Sequence, residues 1–371
     1  MLRQILVRVG SAGRRLIPVR APDLSRVQRI CIFKIGSIGD VLMTTPMLKA
    51  LRQRFPKARI DYWTGRYSAD VLLGNHDLDE VVTFDEAAFN QKKLGMLRQL
   101  ARHVAARRYD IMFLLDKHWA MSVFGLWCRA PVRVGFDRGG ENLGHTLAIN
   151  YWRIKHEVDY YLDLAYAIGA KQVKQPKMSI PLRKEHQEYA RQVFAKHNLI
   201  ADRTIAFAAG GARNPGQNMA SRRWPTERFA AVARQLMKDG WQVLLIGKSP
   251  GDDEVAKLML KHAPGVVSGV TADITPKKTA ALIQRSRLLI CNDTGPMHLA
   301  AAVGTPTVSV FGPTDPRRKA PRGDNHLWVW RPVECTRAEV YGVYDDPRIA
   351  NNILKVQPKD VLAAARQLLK A

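Results

Sequence analysis

Short, nearly continuous apolar runs alternate along this chain with longer segments whose apolar positions recur every three to four residues, a pattern that predicts strands and amphipathic helices in turn. In the first half the runs cover residues 30–35, 59–63, 81–84, 109–115 and 132–135; in the second they cover 204–208, 241–247, 287–290, 307–311 and 327–330. Runs apolar on both faces belong in parallel sheets covered by helices, and right-handed β–α crossovers build such sheets. The expected fold class is therefore α/β, with two Rossmann-like, doubly wound parallel-sheet domains facing a central cleft. Residues 174–181, with two prolines among polar positions, have the composition of a linker, and 358–369 read as an amphipathic closing helix. No fixed-period repeat, low-complexity tract or heptad interrupts the pattern.

Between the last pair of central runs stands Cys291-Asn292-Asp293-Thr294-Gly295-Pro296-Met297-His298, followed by an alanine-rich stretch and Gly304-Thr305-Pro306. Its place predicts a strand–turn–helix unit with polar groups at the strand's carboxyl end, where α/β proteins bind ligands. Pro296 suits the first helical turn, which needs no amide hydrogen, and Thr294-Gly295 can cap it. The free amides of such a turn carry partial positive charge and suit a phosphate.

Length and composition narrow the picture. A chain of 371 residues exceeds the usual single core. Its four cysteines, Cys31, Cys128, Cys291 and Cys335, lie far apart without metal-ligand spacing, so a disulfide framework or structural zinc is not expected and a reducing compartment fits. The formal charge of +25 implies an anionic partner, and residues 1–60 carry 13 Lys/Arg against two Asp. Nucleic acid, an acidic membrane and a phosphorylated glycolipid all qualify. Residues 1–28 form a basic extension, with Arg3, Arg8, Arg14, Arg15, Arg20 and Arg26 among Leu2, Ile5, Leu6, Val7 and Val9. It reads either as an amphipathic tail for an anionic membrane or as a disordered extension. No stretch is long and apolar enough for a secretory core or a spanning helix, so a soluble or peripheral protein is expected.

The first strand runs into Lys34-Ile35-Gly36-Ser37-Ile38-Gly39-Asp40. Its glycine spacing is not the dinucleotide fingerprint, which argues against hydride transfer. Asp40, at a strand's carboxyl end, can accept a proton from a hydroxyl nucleophile or serve as a first-turn helix acid.

Gly39-Asp40 with Thr44-Thr45-Pro46, then Arg222-Arg223-Trp224-Pro225, then Asp293-Thr294-Gly295 with His298 and Gly312-Pro313-Thr314-Asp315-Pro316 together resemble glycosyltransferase family nine, the lipopolysaccharide heptosyltransferases. The resemblance runs from about Arg29 to the closing helix, with its motifs in order. It implies a GT-B architecture: an acceptor-binding domain over 29–178 and a nucleotide-sugar donor-binding domain over 179–371. It further implies inverting transfer from ADP-heptose to the anionic inner core of lipopolysaccharide, with no essential metal or other cofactor. Asp40 matches the general base, and Asp293, Thr294, Gly295 and His298 match the donor pyrophosphate loop. Arg222 falls where relatives carry a phosphate-binding lysine, and Asp252 matches an acidic residue that holds the ribose. Fixed donors of this kind suit a departing diphosphate. An arginine offers a bidentate fork where lysine is a point charge.

Two features depart from the family pattern: a longer loop over 210–221, and a cysteine-rich C-terminal region reduced to Cys335. For the acceptor, Asp116-Lys117-His118-Trp119 and the arginines Arg129, Arg133 and Arg138 are available, each readable as a surface group. The expected enzyme works in the cytoplasm, peripherally on the inner face of the cytoplasmic membrane of a Gram-negative bacterium. The alternatives are a related GT-B enzyme with another nucleotide sugar or acceptor, and a basic nucleic-acid-binding α/β protein. For the last, no RRM, KH, helix-turn-helix or zinc-finger signature is present, and no nucleic-acid partner is expected.

Overall fold

The computed structural model describes residues 24–86, 89, 93–140, 142–214, 217–248, 250–336 and 346–370. Most of the basic extension, residues 1–23, lies outside them. The chain divides into two compact units, one running to Arg153 and resuming over Glu157–Pro176, the other holding Ile154–His156 and everything from Lys177 onward.

In the first unit the strands are β1 (Arg29–Lys34), β2 (Arg59–Gly65), β3 (Glu80–Phe84), β4 (Ile111–Leu114), β5 (Val132–Asp137) and β6 (Leu147–Asn150). They form one parallel sheet in the order β3-β2-β1-β4-β5-β6. The second unit contains β7 (Thr204–Ala208), a two-stranded ladder of β8 (Arg213–Asn214) and β9 (Gln217–Asn218), then β10 (Gln242–Lys248), β11 (Val267–Thr271), β12 (Leu288–Asn292), β13 (Thr307–Val310) and β14 (His326–Val329). Its main sheet is again parallel, in the order β11-β10-β7-β12-β13-β14. Both are the doubly wound arrangement of GT-B domains, each reversing direction beside its first strand.

Alternation along the strands explains why both faces are covered. From β7, Ile205 and Phe207 join a core with Phe229, Leu236, Met259, Val361 and Leu368 from the helices Thr226–Lys238, Asp253–His262 and Pro358–Lys370. The intervening Ala206 faces the other layer, where Pro276–Arg285 packs with Gly295–Val303 and Lys184–Lys196. The closing helix thus completes the second unit's own core. In the first unit Cys31 and Phe33 pack with Leu100, Val104 and Phe124 from Leu94–Ala106 and Trp119–Trp127. All four cysteines are buried thiols.

Every expected strand is present, with ends shifted by a residue or two. Four strands are not revealed by the periodicity: the short β8 and β9 of the separate ladder, and β6 and β11, which are edges of the main sheets with no fully buried residue. Among the described residues no helix is long and apolar enough to cross a membrane, and no group of three His, Cys, Asp or Glu could hold a metal ion.

Candidate functional site

An open parallel sheet leaves a crevice at the carboxyl ends of its strands where the strand order reverses. In the second unit that place lies between β7 and β12, so the glycines after β7 and the Asp293-Thr294-Gly295 turn after β12 meet there. Thr294 is the N-cap of the helix Gly295–Val303, whose first turn contains Pro296 and which ends on Gly304 in the left-handed region at φ 81°. The Thr294 hydroxyl does not cap that first turn. His298 follows one turn into the same helix and is buried.

Asp293 is fully buried and ion-paired through Oδ2 to Arg222 Nη2 at 2.7 Å, while the Thr314 hydroxyl donates to the same oxygen at 2.6 Å. The guanidinium also donates to the Asp293 carbonyl. Burial pushes this carboxyl up, but Arg222 foremost, then Lys319, the Thr314 hydrogen bond and His298, outweigh it and hold the group below the usual carboxylate range. The Gly312–Pro316 motif therefore serves this site through Thr314. Gly312 is needed because a Cβ there would lie 2.7 Å from the Ser221 carbonyl, beside Arg222.

Asp252 sits where two loops converge: Oδ1 accepts from Gly211 N at 3.1 Å and Oδ2 from Lys248 N at 2.9 Å. The loops after β7 and β10 are thereby tied to one carboxylate. Gly210 leaves room for it, since a Cβ would stand 2.1 Å from Asp252 Oδ1, and Gly211 takes φ +84° with its Cβ direction toward Thr294. Thus Arg222, Asp252, Asp293, Thr294, Gly295 and His298 all belong to the carboxyl-end loops of one sheet or the elements those loops begin. Within this set Arg222 and Asp293 are bonded to each other, whereas Asp252 is bonded to the Gly211 and Lys248 amides. Residues 215–216 of the long 210–221 loop lie outside the described residues.

The first unit has its own reversal between β1 and β4, and Asp40 and Asp116 follow those two strands. Asp40 stands in the first turn of the short helix Ile38–Leu42 and accepts from the Ser37 hydroxyl at 3.0 Å. Beneath it lies a charged layer that the sequence did not announce. Buried Lys34, the last residue of β1, pairs with Asp116, whose other oxygen accepts from Ile35 N. Burial pushes the Lys34 ammonium down, but Asp116, Asp40 and Glu157 more than compensate and it ends above its ordinary value. Lys117 pairs with buried Glu157 and lies 4.3 Å from the centre of the Tyr151 ring, whose hydroxyl also donates to Glu157. The polar end of this sheet is therefore an alternation of carboxylates and ammonium groups in which Asp40 takes part.

Of the arginines considered for an acceptor, Arg133 is committed to the fold: its guanidinium donates to the Gly144 and Ala130 carbonyls. Arg129 occupies a left-handed turn position at φ 59° and is exposed. The His118 side chain accepts from Ala120 N at 3.2 Å, capping the helix Trp119–Trp127.

Comparison with known proteins bears on this geometry. Residues 97–343 match the model of glycosyltransferase family 9 (heptosyltransferase). Lipopolysaccharide heptosyltransferase 2 of Salmonella typhimurium is 25% identical over 301 residues, covering 78% of this chain and 84% of that protein. Among solved structures, a glycosyl transferase family 9 protein from Veillonella parvula superposes with a TM-score of 0.79 at 24% identity, covering 94% of this chain and 99% of that one. The ADP-heptose LPS heptosyltransferase II of Escherichia coli gives 0.70 at 21% identity, covering 92% and 98%.

Proposed function

The chain belongs to glycosyltransferase family 9, the heptosyltransferase family, and from that premise we propose that it transfers heptose from ADP-heptose to a hydroxyl of the lipopolysaccharide inner core, with inversion and with Asp40 as general base. The observation that carries this reading is the convergence of Gly211, Arg222, Asp252, Asp293 and Thr294 at the strand-order reversal of the second sheet.

In this mechanism the Asp40 carboxylate takes the acceptor hydroxyl proton as that oxygen bonds to the anomeric carbon. The bond from that carbon to the β-phosphate oxygen breaks, and its electron pair leaves on ADP. Charge that grows on the diphosphate is met by the amides of the Thr294-Gly295 turn, by the N-terminal end of Gly295–Val303, and by Arg222 and His298. Arg222 holds Asp293 through Nη2, and its Nη1 donates to Met219 Sδ at 3.7 Å, so the guanidinium is fixed beside the turn. Asp252 would offer the ribose a carboxylate already oriented by two backbone amides.

The same reading puts the enzyme in the cytoplasm, peripheral to the inner face of a Gram-negative cytoplasmic membrane. There the 13 Lys/Arg against two Asp of residues 1–60 would complement phosphorylated sugars and anionic lipid.

The test is mass spectrometry of heptose-deficient lipopolysaccharide after incubation with ADP-heptose and the purified protein, beside Asp40→Asn. One heptose mass added by the wild type, and a rate about 10²- to 10⁴-fold lower for the variant, is expected for loss of a general base. Equal rates would remove Asp40 from that role. No transfer by folded wild type saturated with ADP-heptose would sink the choice of donor and acceptor.

A further inference from the structure

Asn292 directly precedes Asp293-Thr294-Gly295, and the mechanism gives it no task. As the last residue of β12 it is fully buried, and its carboxamide is bonded at both ends. Nδ2 donates to the Ala209 carbonyl at 2.9 Å and the Gly210 carbonyl at 3.3 Å; Oδ1 accepts from Trp224 N at 2.9 Å. One side chain therefore ties together three stretches far apart in sequence: the loop leaving β7, the Arg222-Arg223-Trp224 segment, and the turn after β12.

We propose that Asn292 is the positioning residue of the donor-phosphate site, setting Arg222 and the Gly210-Gly211 backbone against the Thr294-Gly295 turn. The proposal rests on the reading of this site as a nucleoside diphosphate site. Asn292 itself faces protein on every bonded side, so it acts through its partners.

Each partner leads to a group given a role at the phosphates. Trp224 is itself fixed: its indole donates to the Val356 carbonyl at 3.0 Å and its ring meets Phe229 edge-on at 4.9 Å. Holding Trp224 N from the other side fixes the start of this segment, two residues after Arg222, whose guanidinium returns to Asp293, the residue next to Asn292. Gly210 and Gly211 are held from below by Asn292 and from the side by Asp252, with Gly211 directed at Thr294. Few side chains satisfy this arrangement. Two acceptors and one donor must be met from one short group, and only a carboxamide carries an NH₂ and a carbonyl at that separation. Aspartate has the same shape but would turn an oxygen toward two carbonyl oxygens, and alanine would leave three backbone groups buried and unbonded.

The experiment is isothermal titration of ADP, UDP and GDP into wild type, Asn292→Asp, Asn292→Ala and a control, Leu236→Ala. Leu236 lies in the same unit's core on the helix Thr226–Lys238 and is outside the bonding pattern above. All four proteins are first checked by calorimetric unfolding. The expected result is at least a tenfold loss of affinity in both Asn292 variants for whichever nucleotide the wild type binds, with Leu236→Ala within twofold of wild type despite its lowered melting temperature. Asn292→Asp should also regain part of its affinity as pH falls, because a protonated carboxyl supplies one O–H donor to the Ala209 or Gly210 carbonyl; Asn292→Ala should not. Folded Asn292 variants that bind within twofold of wild type would overturn the proposal. So would a control that loses as much affinity, which would make Asn292 a matter of stability alone. A wild type that prefers UDP or GDP would revise the donor and leave the role of Asn292 to be decided by the same titrations.

Discussion

Replacing Arg222 with methionine should weaken the acid-side pH dependence that Asp293 gives the second unit. The wild-type pair joins Arg222 to a fully buried Asp293, and Arg222 is the largest of the influences that keep this carboxyl below its ordinary range against the opposing effect of burial. Arg222→Met keeps an unbranched stem and removes the charge. Breaking one side of a buried ion pair costs about 3–5 kcal/mol, because the remaining charge is left in a poor solvent. In a unit of this size each kcal/mol lowers the melting temperature by about 2–4 °C, so a fall of roughly 6–20 °C is expected.

The pH dependence separates this from a simple packing loss. In the wild type the folded pKa lies below the unfolded value near 3.9, so the contribution of Asp293 is present above about pH 4 and is lost as pH falls through the folded pKa. Without Arg222, burial is opposed only by Lys319, the Thr314 hydrogen bond and His298, and the folded pKa moves up. The folded carboxyl then holds its proton to a higher pH than in the wild type, so the stability that Asp293 contributes between about pH 4 and neutrality shrinks. Scanning calorimetry at pH 4.5 and 7.5, with Asp293→Asn added to Arg222→Met as the rescue, reads this directly. A loss under about 1 kcal/mol with the wild-type pH slope would refute the assignment of Asp293 as a buried anion held by Arg222.

Two further expectations concern single groups. Gly210→Ala would drive a Cβ to 2.1 Å from Asp252 Oδ1 and force the carboxylate off the Gly211 and Lys248 amides, at a cost of about 2–3 kcal/mol; urea unfolding checks it, and a change under about 0.5 kcal/mol would mean that Asp252 moves aside freely. His326 is buried with Nδ1 3.0 Å from the Thr307 hydroxyl, and burial lowers its pKa from 6.5 to about 4. Its contribution is present above pH 6.5 and is lost as pH falls toward 4, so His326→Gln should shrink the stability difference between pH 7 and pH 4 by about 3 kcal/mol, measured by denaturant titration at both values.

How far such groups can be read from sequence depends on whether their partners are local. The central strands announce themselves because β1, β4, β7 and β12 are buried on both faces, and Asp40 and Asp293-Thr294-Gly295 follow because a strand, a turn and a helix are contiguous in the chain. The edge strands β6 and β11 carry no apolar run longer than the three residues 147–149 and no clean alternation, and no position in either is fully buried. Arg222 and Asp252 were found by motif and position, but their bonds span 71 and 41 residues, to Asp293 and Gly211, and no periodicity encodes such a distance. Lys34 is hidden differently. It ends an apolar run and reads as a strand's last residue, yet it is buried because Asp116, 82 residues later, emerges from the neighbouring strand to meet it.

The same geometry explains why both halves place their chemistry at equivalent points. In a parallel sheet the strand on each side of the reversal sends its loop away from the other, so the two loop starts stand side by side with their backbone groups uncovered. A side chain that bonds across this gap satisfies those groups and fixes the loops at once: half-buried Asp116 does so for Lys34 and Ile35 beside Asp40, and buried Asn292 does so for Ala209 and Gly210 beside Asp293. What differs is the charge left over. The first unit spends carboxylates around Lys34 and Lys117 and keeps Asp40 near the opening, a setting suited to accepting a proton. The second sets Arg222 against a single buried Asp293 at the start of a helix, a setting suited to an anion. The proposed division into a proton-accepting half and a diphosphate-holding half would then follow from which residue bridges each reversal.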